Sequence, residues 1–204
     1  MGQCIYHLCR CVFFVILRLF FRLEIKGSQN IPLQGPAILV AKHSSLLDPF
    51  IITCSTRRII HWLVAGWVFR IRPFRFLARR IPFLKVEPGK TNNKEALKKA
   101  IEILSQGGII GVFPEGRLSK TSELNPFLSG TVYLGIRSKS AIIPLYIDGA
   151  YQIMQNSKFL KFSKVCVIIG KSFYLNGLYN LADKETVKKI SAVIREKILE
   201  LKGG

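Results

Sequence analysis

Residues 37–49 read AILVAKHSSLLDP, and the stretch changes character halfway along. Residues 37–41 are wholly apolar, the pattern of a short strand buried on both faces. The run stops at the polar Lys42-His43-Ser44-Ser45. Asp48 and Pro49 then suit the N-cap and first position of a helix. A strand, a polar loop and a helix within thirteen residues is the opening of an α/β layer.

The same alternation recurs downstream. Apolar runs at 59–64, 83–86, 109–113, 141–147 and 165–169 read as strands. Residues 93–105 form an amphipathic helix that Gly107 and Gly108 stop. Residues 66–77, 127–137 and 183–202 also read as helical, the first of them very basic. The expected fold is therefore α/β, with a mostly parallel central sheet flanked by helices. Function in such sheets gathers in loops beyond the strand carboxyl ends. Two polar segments stand there, 42–48 and 114–121.

A chain of 204 residues accommodates one core-bearing domain, expected at 27–204, preceded by a membrane-associating segment at 1–26. Hydrophobic residues make up 49% and mean hydropathy is +0.27, which excludes a disordered chain. Lys and Arg number 31 against 12 acids, for a net charge of +19. Residues 1–86 carry thirteen of those cations and only two acids, Glu24 and Asp48. Such an excess calls for an anionic partner: nucleic acid, an anionic bilayer or a phosphorylated substrate.

Residues 4–23, CIYHLCRCVFFVILRLFFRL, favour the bilayer. Gln3, His7, Arg10, Arg18 and Arg22 fall on one helical stripe, interrupted at Phe14, among Phe, Leu, Ile and Val. This is the pattern of an amphipathic membrane-interface helix. A tilted insertion and a core helix with outward-reaching arginines are the other readings of the same stripe. Its longest uncharged run, 11–17, is short for a membrane span. No small-residue cleavage site marks a signal peptide. Residues 69–85 add six cations and four phenylalanines without an acid, suited to headgroups, an acyl tunnel or an acidic carrier protein. The five cysteines have no metal-ligand spacing and read as reduced thiols on a cytosol-facing side, not as catalytic groups.

The chemistry resides in the two polar loops. If the first curls back on itself, His43 meets Asp48, and a carboxylate-held imidazole is a general base for an alcohol. Otherwise Asp48 is a plain helix cap and His43 a solvated loop residue. The second loop reads Phe113-Pro114-Glu115-Gly116-Arg117-Leu118-Ser119-Lys120. Gly116 allows close approach of a ligand, and Arg117 and Lys120 offer charge to phosphate. Glu115 is placed to orient Arg117 or a substrate hydroxyl. An ordinary basic surface loop is the other reading. No G-x-S-x-G elbow supports a hydrolase. A nucleic-acid-binding module accounts for the charge but not for the apolar N-terminus or the Phe-Pro-Glu-Gly loop.

Together these segments resemble the glycerolipid acyltransferases of the lysophosphatidic acid acyltransferase type (1-acyl-sn-glycerol-3-phosphate acyltransferase, PlsC-like). His43, Ser45 and Asp48 match the family's H-x-S-x-x-D motif, and residues 113–117 its Phe-Pro-Glu-Gly-basic motif. Ile142-Ile143-Pro144-Leu145-Tyr146-Ile147 matches its apolar-Pro strand. The resemblance covers roughly residues 30–175. It departs where the family has Thr-Arg after Glu-Gly and this chain has Arg117-Leu118. It departs again at Pro88, where the family has a phosphate-binding arginine; Arg79, Arg80 and Lys85 are the candidates to replace it.

The resemblance implies one-step acyl transfer from an acyl-carrier-protein or coenzyme A thioester to the hydroxyl of lysophosphatidic acid, giving phosphatidic acid. Another lysophospholipid or lipid alcohol is the alternative acceptor, and a lipid- or nucleic-acid-binding module without catalysis is the alternative class. His43 and Asp48 would be catalytic; Ser45, Glu115, Gly116, Arg117, Ser119, Lys120, Arg79, Arg80 and Lys85 would bind substrate. No metal, no cofactor and no nucleic acid is expected, and the partner is a membrane surface with anionic lipids on the cytoplasmic face.

Overall fold

A computed structural model describes residues 2–70, 82–87, 93–119, 125, 127–153, 163–175 and 183–203. The described residues form a seven-stranded sheet. Its strands are β1 (Glu24–Lys26), β2 (Ala37–Ala41), β3 (Ile60–Ala65), β4 (Phe83–Val86), β5 (Ile109–Val112), β6 (Ala141–Asp148) and β7 (Cys166–Ile169). Their order is β1-β7-β6-β2-β5-β3-β4. Every pairing is parallel except β6 with β7. The α/β expectation holds, with the sheet mostly parallel.

Helices cover both faces because alternate side chains of the central strands point to opposite sides, and both sides are apolar. Ala37, Leu39 and Ala41 of β2 pack with α1 (Gly2–Phe21), α2 (Asp48–Thr53) and the short α5 (Ala150–Ile153). Ile38 and Val40 pack with α3 (Lys94–Ser105), α4 (Gly130–Ser138) and α6 (Lys184–Leu199). Strand β2 lies between β6 and β5 and is buried along its whole length. The polar loop that follows it therefore emerges near the middle of the sheet's carboxyl edge.

The structure adds detail in two places. The basic helix read at 66–77 begins as a 3-10 turn, Gly66–Arg70, and residues 71–77 lie outside the described residues. Residues 1–26 are also more than an appended helix. Glu24–Lys26 adds an edge strand on β7, and Tyr6, Leu17 and Phe21 of α1 are core residues. A three-residue edge strand has no periodicity to show in sequence.

Helix α1 accordingly has two apolar faces. One is inside the protein. The other presents Leu8, Val12, Val15, Ile16, Leu19 and Phe20 to the exterior, with Leu19 71% exposed. Gln3–Phe21 is long and apolar enough to cross a membrane by length and composition, and only 17% of its apolar window is buried.

The docking of α1 has a specific polar lock. The Tyr6 hydroxyl accepts a hydrogen bond from the buried Ile60 N–H at 3.2 Å, at the first residue of β3. Tyr6→Phe leaves that N–H unpaired, so stability should fall by about 1–3 kcal/mol. Thermal melting in a mild detergent reads this; an unchanged Tm would mean that α1 does not rest on β3 in solution.

Candidate active site

The loop after β2 curls back as the catalytic reading of His43 and Asp48 requires. His43 Nδ1 lies 3.0 Å from Asp48 Oδ2. The same oxygen accepts the Ser44 N–H at 2.7 Å and the Ser45 N–H at 2.8 Å. Asp48 is fully buried, and charge-assisted bonds of this kind are what keep a buried carboxylate. The plain helix-cap reading is corrected here. Leu47 occupies the N-cap of α2 with no side-chain cap, and Asp48 is the first helical residue. The Phe50 and Ile51 N–H groups that a capping Asp48 would take both donate to the Leu47 carbonyl at 3.0 Å, so the carboxylate faces the loop instead.

With three N–H groups converging on Oδ2, the imidazole proton sits on Nδ1 and the Nε2 lone pair is left open. Nε2 has no hydrogen-bond partner among the described residues. The ring is 15% exposed and lines a cavity of about 500 Å³. The cavity runs between β3, β4, α3 and the start of α4, and its walls include Leu63, Phe83, Leu97 and Val112. An apolar pocket with one imidazole at its wall is built for a ligand with a long apolar part and one reactive group.

A stack of rings supports the imidazole from below. His43 lies on Phe113 with centroids 4.0 Å apart and planes 17° from parallel. Phe113 lies on Trp62, 5.0 Å away at 10°. Trp62 is completely buried, and its indole N–H donates to Thr53 Oγ1 at 3.2 Å. Its ring lies flat because its cross-strand partner is Gly111. A Cβ at Gly111 would stand 2.7 Å from Trp62 Cδ2 and closer still to the outer ring carbons. Neither aromatic was among the expected site residues. A stack built across three strands leaves no local pattern in the chain.

The second loop is clasped to the first. Glu115, 4% exposed, accepts the His43 backbone N–H at 3.1 Å through Oε1. Its Oε2 accepts the Asn125 N–H at 2.9 Å and the Asn125 side-chain amide at 2.6 Å. In return the Ser119 N–H donates to the His43 carbonyl at 2.7 Å. Gly116 makes the turn between them with φ 64°, a left-handed conformation that favours glycine.

The residues expected to bind substrate therefore divide. Ser45, Glu115 and Ser119 are buried, and their side chains hydrogen-bond within the protein. Gly116 and the exposed Arg117 line the cavity, and Arg117 donates to Asn125 Oδ1 at 3.2 Å. Lys85 is exposed on β4, between Leu84 and the cavity residue Val86. Its alkyl chain crosses Gly66, where an added Cβ would collide with Lys85 Cε. Arg79, Arg80, Lys120 and the departing Pro88 lie outside the described residues.

Comparison with known proteins places this arrangement. The family model described as Acyltransferase matches residues 22–148, which contain both loops. A 1-acyl-sn-glycerol-3-phosphate acyltransferase of Bacillus subtilis is 26% identical over 203 residues, covering 96% of each chain. A chloroplastic 1-acyl-sn-glycerol-3-phosphate acyltransferase of Brassica napus is 26% identical over 76% of this chain, which spans 46% of that relative's length. The crystal structure of the 1-acyl-sn-glycerophosphate (LPA) acyltransferase PlsC from Thermotoga maritima shares the fold. It has a TM-score of 0.66 at 23% identity, over 96% of this chain and 82% of that one.

The stack predicts a coupling between two residues in different strands. Gly111→Ala forces the Trp62 ring aside, at about 1–3 kcal/mol for overpacking. Because Phe113 rests on that ring, the His43 imidazole proton shifts should move with it in NMR spectra. A destabilised variant with unmoved His43 resonances would show that Trp62 does not position the imidazole.

Proposed function

The chain belongs to the acyltransferase family, and from that premise we propose that it transfers a fatty acyl chain from a thioester donor to the free hydroxyl of lysophosphatidic acid at a membrane surface. The observation that carries the reading is the Asp48–His43 pair opening onto an apolar cavity. The acyl tail lies among Leu63, Phe83, Leu97 and Val112, and the thioester carbonyl stands at His43.

His43 Nε2 takes the proton of the acceptor hydroxyl. The oxygen attacks the thioester carbonyl; the new ester C–O bond forms, the C–S bond breaks, and the imidazolium returns its proton to the leaving thiolate. Asp48 keeps the tautomer and stabilises the imidazolium through Nδ1–H. No acyl-cysteine is needed. Burial pushes the Cys54 thiol up to about 12, so it holds its proton at neutral pH.

Arg117 at the cavity and Lys85 beside it are the cations suited to the acceptor phosphate. The outward apolar face of α1, flanked by the exposed Arg18 and Arg22, seats the protein on an anionic leaflet facing the cytoplasm. The lipid acceptor then arrives within the bilayer surface.

His43→Ala should lower kcat by about 10²–10⁴-fold in a vesicle assay, and loss of one donor to the buried Asp48 should lower its Tm without unfolding it. Parent-like turnover would remove His43 from the mechanism. A second test separates phosphate binding from catalysis. Arg117→Ala and Lys85→Met should each raise the KM for lysophosphatidic acid while leaving the thioester KM and the use of monoacylglycerol nearly unchanged. Gly66→Ala should reproduce Lys85→Met, since its methyl displaces only the end of a flexible lysine chain. Equal loss with both acceptors would assign these residues to folding rather than to phosphate.

A further inference from the structure

A second groove adjoins the acyl cavity. Helix α6 carries Lys184, Lys188, Ser191 and Arg195 at spacings of four, three and four, so they share one flank. With Phe127 and Ser129 of the segment leading into α4, they line a groove of about 460 Å³. Ser129 belongs to both walls: it lines this groove and the cavity that holds His43. A ligand seated against α6 therefore touches a residue that also lines the cavity holding His43.

The groove is cationic along its length. Lys184, Lys188 and Arg195 are exposed. The acids of α6, Glu185 and Glu196, stand roughly 100° around the helix, and Glu185 pairs there with Lys189 at 3.0 Å. Asp183 caps the helix, accepting the N–H groups of Glu185 and Thr186 at 3.0 Å. Phe127 and Val187 put apolar surface between the cations.

Position decides what this surface meets. Ile190, Ile194 and Ile198 seat α6 on the sheet face opposite to the one covered by Tyr6, Leu17 and Phe21 of α1. A protein resting on a bilayer through the outer face of α1 keeps α6 on its other side, in water. The cations run roughly 16 Å along α6, three helical turns. That is too extended for the clustered phosphates of one coenzyme and matches the length of an acidic helix.

We propose that the α6 groove is the docking surface for an acidic acyl-carrier protein, whose thioester arm enters the reaction cavity past Ser129. This rests on the acyl-transfer reading and adds the donor's identity to it. The lipid acceptor approaches from the α1 side and the soluble donor from the α6 side.

The test uses the full chain in vesicles containing lysophosphatidic acid, with palmitoyl-acyl carrier protein and palmitoyl-coenzyme A as alternative donors. Lys184→Glu/Lys188→Glu should raise the KM for the carrier-protein donor about tenfold or more by charge repulsion. The KM for palmitoyl-coenzyme A, the KM for lysophosphatidic acid and co-sedimentation with vesicles should stay within about twofold. In the parent chain, the carrier-protein KM should climb with salt over the range that screens surface charge. An unchanged carrier-protein KM overturns the proposal. So does an equal rise with palmitoyl-coenzyme A, which would make the groove a phosphate site, or loss of vesicle binding, which would make it a membrane face. Acyl transfer from coenzyme A alone in the parent chain rejects the carrier protein while leaving the acyl-transfer reading standing. A parent chain inactive with both donors overturns that reading too.

Discussion

One oxygen organises the site. Asp48 Oδ2 is buried and accepts hydrogen bonds from the His43 ring and from two successive backbone N–H groups. A buried carboxylate that lost one of these donors would face the desolvation cost of its charge, so the loop has little freedom to open. The same three bonds fix the imidazole tautomer and leave Nε2 toward the cavity. Loop geometry and imidazole tautomer thus follow from one electrostatic requirement.

Glu115 extends that constraint across the sheet. It holds the His43 backbone from the β5 side, while Ser119 returns a bond to the His43 carbonyl. The two loops are one unit, although 72 residues separate His43 from Glu115 in sequence. Beneath them the Trp62–Phe113–His43 stack fixes the plane of the imidazole. Gly111 makes the stack possible by withholding a side chain where the indole lies. The imidazole is thus held in place before any ligand arrives.

The sheet also separates two environments. On one face α1 buries Tyr6, Leu17 and Phe21 and turns Leu8, Val12 and Leu19 outward. On the other, α6 carries a cationic groove that shares Ser129 with the cavity holding His43. The His43 loop stands at the carboxyl edge between them. On the proposed reading, a lipid acceptor would reach this loop from the α1 side and a soluble thioester from the α6 side.

The layering, the mostly parallel sheet, the two polar loops and their family resemblance are legible in the chain. These are local properties: apolar runs of strand length, helical periodicity, and motifs whose residues are near neighbours in the chain. The same reading marked Gly116 and Arg117, which line the cavity. It left open whether His43 and Asp48 meet, because a loop's curl depends on what its carboxylate can bond to. The tertiary structure alone decided that Asp48 faces the loop rather than capping α2, and that Glu115 and Ser119 clasp the loops together. It alone revealed Trp62 as the floor of the stack and gave α1 a second, buried face. Each of these depends on strands or helices far apart in the chain becoming neighbours, and pairing across a sheet has no signature in any single segment.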